Sequence, residues 1–153
     1  MTDVPEPSRT VLIIEDEALV AMLLETVLAE AGYRPVWVPD GRRAVLTGPG
    51  PIAAMAPSAV LVGLRLAESS DGRDLIRRLR EEHPGIPTVV VTGYNPLAPQ
   101  ADLRGLGGPT VRLGKPIESD ALLEQLARVL NRSASQPAPR RRASDTLPAQ
   151  NAA

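Results

Sequence analysis

Three short runs of this chain are apolar without a break: Val11-Leu12-Ile13-Ile14, Ala59-Val60-Leu61-Val62 and Val89-Val90-Val91. A strand with one wet face alternates apolar and polar residues, whereas an unbroken run must be covered on both faces. Longer stretches with helical spacing separate these runs. Buried strands alternating with amphipathic crossovers specify a parallel sheet with helices on both sides, an α/β fold. The strands are read at 11–15, 34–38, 59–63, 86–91 and 110–113, which makes a doubly wound five-stranded parallel sheet.

The crossovers differ in quality. Asp16 is placed to cap a helix over about 17–31, which Gly32 stops. Its apolar stripe comprises Val20, Leu23, Leu24, Val27, Leu28 and Ala31. Each large member buried against the sheet contributes ~1.5–3 kcal/mol. Asp40 reads as the cap of a second helix through Ala44-Val45-Leu46, ahead of a Gly/Pro interruption at 48–51. A third helix follows Asp71-Gly72, with Leu75, Ile76 and Leu79 inward and its arginines outward, and ends before Pro84. A last helix begins near Ser119 and buries Leu122, Leu123, Leu126, Val129 and Leu130. The fourth crossover, Asn95 to Gly108, contains two prolines and three glycines. It is expected to form at most two helical turns, around 99–105, with mobile flanks.

At 153 residues and 43% hydrophobic content the chain fits one domain with a real core. Residues 1–9 read as a flexible leader, 10–131 as the folded domain, and 132–153 as a disordered basic, Pro/Ala-rich tail. The tail holds Arg132, Arg140, Arg141 and Arg142 against the single acid Asp145. A formal net charge of −1 gives no electrostatic basis for a nucleic acid or an anionic membrane as main partner. No apolar run is long enough to span a bilayer, and the first residues lack a signal-peptide pattern. The absence of cysteine excludes disulfides and thiolate metal sites, and agrees with a cytoplasmic location. The lone His83 reads as a solvated residue at a helix end.

The strand ends carry the chemistry. The first ends in Glu15-Asp16, the third in Gly63, the fourth in Thr92, and the fifth leads into Lys115-Pro116. Alone, each has a plain explanation: acids that favour a helix start, a turn threonine, a solvated lysine. Together, in this order and spacing, they make the chain resemble the receiver domain of bacterial response regulators (CheY-like) over about residues 10–131. In that family the corresponding ends carry two acids, a phosphorylatable Asp, a Thr or Ser, and a Lys followed by Pro. The resemblance implies the flavodoxin-like strand order 2-1-3-4-5, whose site lies outside the carboxyl ends of the strands.

Carried over residue by residue, Glu15 and Asp16 stand at the Mg²⁺-binding acids, and Thr92 and Lys115 at the groups that bind phosphoryl oxygens. Gly63 stands at the acceptor. Glycine has no nucleophile, so the resemblance implies a receiver without its phosphorylation chemistry, a pseudo-receiver. With one carboxylate fewer, Mg²⁺ binding through Glu15 and Asp16 is expected to be weak, ~millimolar or absent. Lys115 is instead expected to lean onto Asp16 or Glu15 as an internal counter-ion. The family often has an aromatic switch residue where this chain has Arg112, with Tyr94 close enough in sequence to substitute; both are candidate interaction residues.

The leading reading is a stand-alone, non-enzymatic protein-interaction module of two-component or phosphorelay signalling. Its expected partners are a histidine kinase, a phosphotransferase or another response regulator, and it is expected to be a monomer or weak dimer. A second reading makes Asp71, or the neighbouring Ser69 or Ser70, a genuine phosphoacceptor. A third, a small-molecule binder using the cleft, lacks a glycine-rich phosphate loop.

Overall fold

A computed structural model of the chain describes residues 9–63, 72–93 and 108–135. Its strands are β1 (Thr10–Ile14), β2 (Arg34–Val38), β3 (Ala59–Gly63), β4 (Thr88–Thr92) and β5 (Thr110–Gly114). They form one sheet in the order β2-β1-β3-β4-β5, every neighbouring pair parallel. The helices are α1 (Ala18–Glu30), α2 (Pro51–Met55), α3 (Gly72–Glu82) and α4 (Ser119–Ser135), with a 3₁₀ turn at Gly41–Arg43.

The unbroken apolar runs are buried on both faces, as their composition requires. All five residues of β1, of β3 and of β4 are buried. Alternation then sorts them between two cores. Leu12, Ile14, Val60, Val62 and Val90 face α3, meeting Leu75, Ile76 and Leu79. Val11, Ile13, Leu61, Val89 and Val91 face the other way, onto Leu24, Val27 and Leu28 of α1 and Leu122, Leu126 and Val129 of α4. The outer strands β2 and β5 are only partly buried.

Several local expectations are corrected. The helix before β3 is not at 40–46. The chain makes a single 3₁₀ turn there, and α2 opens on the last residue of the Gly/Pro interruption, with Pro51 in its first turn where a missing N–H costs nothing. Side chains of α3 take up the backbone of the 41–46 segment. Arg78 donates to the carbonyls of Gly41 and Ala44, and Glu82 accepts from the Leu46 amide. The contact is close: a Cβ on Gly41 would meet Leu75 at 2.9 Å. Ala44 and Leu46 are thereby drawn into the α3-side core without being helical.

The arginines of α3 do not all point outward. Arg80 is buried, and it donates to the carbonyls of Ile86 (3.0 Å) and Pro109 (2.8 Å) and to Thr88 Oγ1 (3.2 Å). Burial pulls its pKa down to about 10, which leaves it charged at neutral pH. Amphipathic spacing treats every arginine as a solvated head and misses this tie across the amino ends of β4 and β5.

In α1 the buried face is Ala21, Leu24, Val27 and Leu28. Leu23 and Ala31, expected inward, are exposed. Asp16 is not the cap; Glu17 is, without a side-chain capping bond. Gly32 does end the helix, at φ +94°, a conformation that L side chains rarely adopt. Helix α4 runs to Ser135, so the chain is still helical four residues past the expected boundary at 131. Residues 1–8 and 136–153, and the expected irregular crossover at 95–107, lie outside the described residues.

Adjacent leucines of α1 give a direct check on this packing. Leu24→Ala is expected to cost about 2–5 kcal/mol, as a core truncation does, and Leu23→Ala under ~1 kcal/mol. Urea unfolding of the two variants measures the difference, and equal losses would contradict the assigned face.

Candidate functional site

Parallel strands deliver their carboxyl ends to one edge of the sheet, and there the chain leaves the cover of the helices. Glu15 follows β1, Gly63 closes β3, Thr92 closes β4, and Lys115 follows β5. Glu15 is held by its main chain. Its amide donates to the Val38 carbonyl (3.3 Å), and its carbonyl accepts from Trp37 Nε1 (2.7 Å), so the end of β2 clamps the end of β1. On the other side, the Lys115 amide donates to the Thr92 carbonyl at 3.0 Å, which brings the lysine back over the sheet edge. The Lys115-Pro116 peptide bond is cis.

The Glu15 side chain is buried, an unusual state for a carboxylate. Its Oε1 accepts from the Glu17 amide at 3.3 Å and lies 3.9 Å from Lys115 Nζ. Its Oε2 is buried and has no hydrogen-bond partner among the described residues. That oxygen points at Gly63: a Cβ built on Gly63 would stand 2.5 Å from Oε2 and 3.1 Å from Cδ of Glu15. The carboxylate therefore fills the space in which a side chain at position 63 would begin. Lys115 has a second and shorter contact, 3.2 Å to Glu17 Oε1.

Among the described residues, Glu15, Asp16 and Glu17 form a group in which one carboxylate oxygen from each lies within 4.8 Å of the others. The expected acid pair is thus a triad. Glu17 was legible as the third acid of an unbroken run and was read only as part of the helix start. The clamp from Trp37 had no sequence signal beyond its place near the end of β2. The expected lean of Lys115 is found toward Glu15 and, more closely, Glu17. Asp16 is exposed and makes no ion pair among the described residues. Thr92 is buried at the end of β4, opposite Gly114 in the β4–β5 ladder. Arg112 lies in β5 opposite Val90, half-buried. Ser69, Ser70, Asp71 and Tyr94 lie outside the described residues. His83 is exposed at the end of α3, away from this edge.

Next to the edge, the first turns of α1 carry exposed apolar side chains: Leu19 is 82% exposed, Met22 57% and Leu23 43%. Among the described residues, no helix is long and apolar enough to cross a membrane.

Burial raises the pKa of Glu15 above its ordinary value near 4.5; Lys115 and the Glu17 amide pull it back only in part, and Asp16 and Glu17 push it further up. A carboxyl raised on folding favours the folded state while protonated. Its contribution is full below about pH 4.5 and is lost as pH rises through the folded value. Glu15→Gln keeps the shape and removes the buried charge. The variant is expected to melt higher than wild type at pH 7, with the gap closing toward pH 4. Thermal melts at the two pH values check this; a variant less stable at pH 7 would show that the charge is well compensated.

Comparison with known proteins agrees with this geometry. The response regulator receiver domain family matches residues 11–127. The chain is 33% identical over 122 residues to the C4-dicarboxylate transport transcriptional regulatory protein DctD of Pseudomonas aeruginosa, an alignment covering 78% of this chain and 25% of DctD. It is 32% identical over 128 residues to the transcriptional regulatory protein QseB of Escherichia coli O157:H7, covering 82% of this chain and 56% of QseB. The chain thus spans about a quarter and about half of these two relatives. Among solved structures, a response regulator receiver protein from Sinorhizobium medicae superposes with a TM-score of 0.67 at 26% identity, covering 82% of this chain and 97% of the other. A CheY-like receiver domain protein from Methanospirillum hungatei reaches 0.71 at 18% identity, over 86% of this chain and all of the other, a likeness of fold alone. This chain belongs to the response regulator receiver domain family.

Proposed function

We propose that this protein is an atypical receiver that acts in two-component or phosphorelay signalling by binding a partner protein, independently of phosphorylation. The observation behind the reading is at the end of β3. Gly63 has no side chain, and the carboxylate of Glu15 lies in the volume where an acceptor side chain would begin. An acceptor must present an oxygen to the incoming phosphorus with water excluded and donors aligned. Thr92 and Lys115 supply donors at neighbouring strand ends, yet the position between them and Glu15 has nothing to phosphorylate.

What persists is a rigid sheet edge with a charged pocket, bordered by the apolar residues Leu19, Met22 and Leu23 of α1. Such a surface suits a histidine kinase, a phosphotransferase or another response regulator, bound in competition with a phosphorylatable receiver. Nothing in this reading requires nucleic acid, a membrane or enzymatic turnover. Glu15 and Asp16 are, on the same reading, vestiges of a metal site, with Glu17 now beside them.

The test is incubation with a small phosphodonor and Mg²⁺, followed by intact-mass measurement. The expected result is no added phosphoryl group. A single adduct that maps to Asp71 and is lost in Asp71→Asn would overturn the proposal and make the chain a phosphoacceptor; so would a Ser69 or Ser70 adduct.

A further inference from the structure

Mg²⁺ takes near-octahedral oxygen ligation at ~2.0–2.1 Å and gives up its waters reluctantly, so a site for it must offer oxygens that nothing else holds. The triad at this sheet edge offers one oxygen from each of Glu15, Asp16 and Glu17. Two of the three are already engaged. Glu17 Oε1 lies 3.2 Å and Glu15 Oε1 3.9 Å from the ammonium of Lys115, and Glu15 Oε1 also accepts from a backbone amide. The second oxygen of Glu15 is turned away, buried against Gly63. A divalent ion would have to displace the ammonium and swing Glu15 outward. As they stand, these residues do not fit the cation that the family leads one to expect.

We infer that Lys115 is the resident cation of this pocket, and that Gly63 is the residue that permits it. A Cβ at position 63 would collide with Glu15 Oε2 at 2.5 Å, closer than real Cβ contacts come. The colliding atom is the tip of a flexible side chain, so the carboxylate would move and the backbone would stay. Its way out leads toward Asp16 and Glu17, both exposed. The missing side chain at 63 thus lets Glu15 lie back into the end of β3, and Lys115 closes over Glu15 and Glu17. Loss of the acceptor and replacement of the metal become one structural event. Opposite charges held in a partly buried pocket attract more strongly than they would in water, which keeps the closure in place without a ligand. The inference rests on the proposed reading of position 63, but its test uses no phosphodonor, so either can fail alone.

The test is metal-dependent stability, read by thermal or urea unfolding of the full chain with Mg²⁺ as the only added ligand. A site with a ~1 mM dissociation constant multiplies the folding equilibrium constant about eleven-fold at ~10 mM Mg²⁺. Wild type is expected to show no shift beyond that produced by an equal ionic strength of NaCl. Lys115→Ala is expected to be less stable than wild type without metal, because the acids lose their counter-ion, and to recover about ten-fold in the folding constant with Mg²⁺. Gly63→Ala adds no ligand atom, yet it is expected to gain a Mg²⁺ response by expelling Glu15. Adding Asp16→Asn to Lys115→Ala should abolish the gain. A Mg²⁺ response in wild type as large as in Lys115→Ala would overturn the inference, and so would a Lys115→Ala variant indifferent to Mg²⁺. If Gly63→Ala does not fold, the lysine variant alone decides.

Discussion

Covering a parallel sheet on both faces is the constraint from which the rest follows. Once β1, β3 and β4 are buried above and below, their side chains have no access to solvent along their length. Polar chemistry can appear only where strands end. At the carboxyl edge the chain turns outward over the sheet, so residues distant in sequence become neighbours: Glu15, Gly63, Thr92 and Lys115. The hydrophobic term that assembles the two cores, ~25 cal/mol per Å² of apolar surface buried, is what forces these four positions together. The polar groups contribute little to that assembly and inherit its geometry.

At that edge the identity of residue 63 becomes a matter of packing. A buried carboxylate is tolerated when it is paired and hydrogen-bonded, and among the described residues Glu15 has one amide, one distant ammonium and one unpartnered oxygen. The balance is incomplete, which is why burial wins in its raised pKa. A glycine opposite supplies room, and the Trp37 clamp on the Glu15 carbonyl keeps the residue from turning its backbone away. The pocket is thus held by a charge distribution internal to the chain.

The sheet order and the four strand ends were legible because they depend on coarse signals: unbroken apolar runs, their spacing, and short polar residues at their ends. Where tertiary contacts compete with local preference, the sequence misled. The 40–46 segment has a helical pattern, but Arg78 and Glu82 of α3 claim its backbone groups, and one 3₁₀ turn is all that forms. Leu23 and Leu24 are indistinguishable by type, and the expected stripe included both; the packing of α1 buries only Leu24. Glu17 was hidden by its plausible role in starting a helix. Its acidity there is consistent with that role and with the Lys115 contact, and composition cannot separate the two.

The two ends of the sheet hold a buried or half-buried cation in different ways, and the difference bears on which end is adaptable. At the amino end Arg80 is ringed by carbonyls of Ile86 and Pro109 and by Thr88 Oγ1. Two of these partners are main-chain carbonyls just ahead of β4 and β5, and no change at a single side chain among the partners releases them all. At the carboxyl end Lys115 is held by side-chain carboxylates, at 3.2 and 3.9 Å, each able to swing. At the amino end a terminal nitrogen of the planar guanidinium donates to backbone carbonyls, whereas the ammonium is a point charge on a flexible stem. The amino end therefore behaves as scaffold. The carboxyl end is the one open to reassignment by a single substitution that leaves the fold intact.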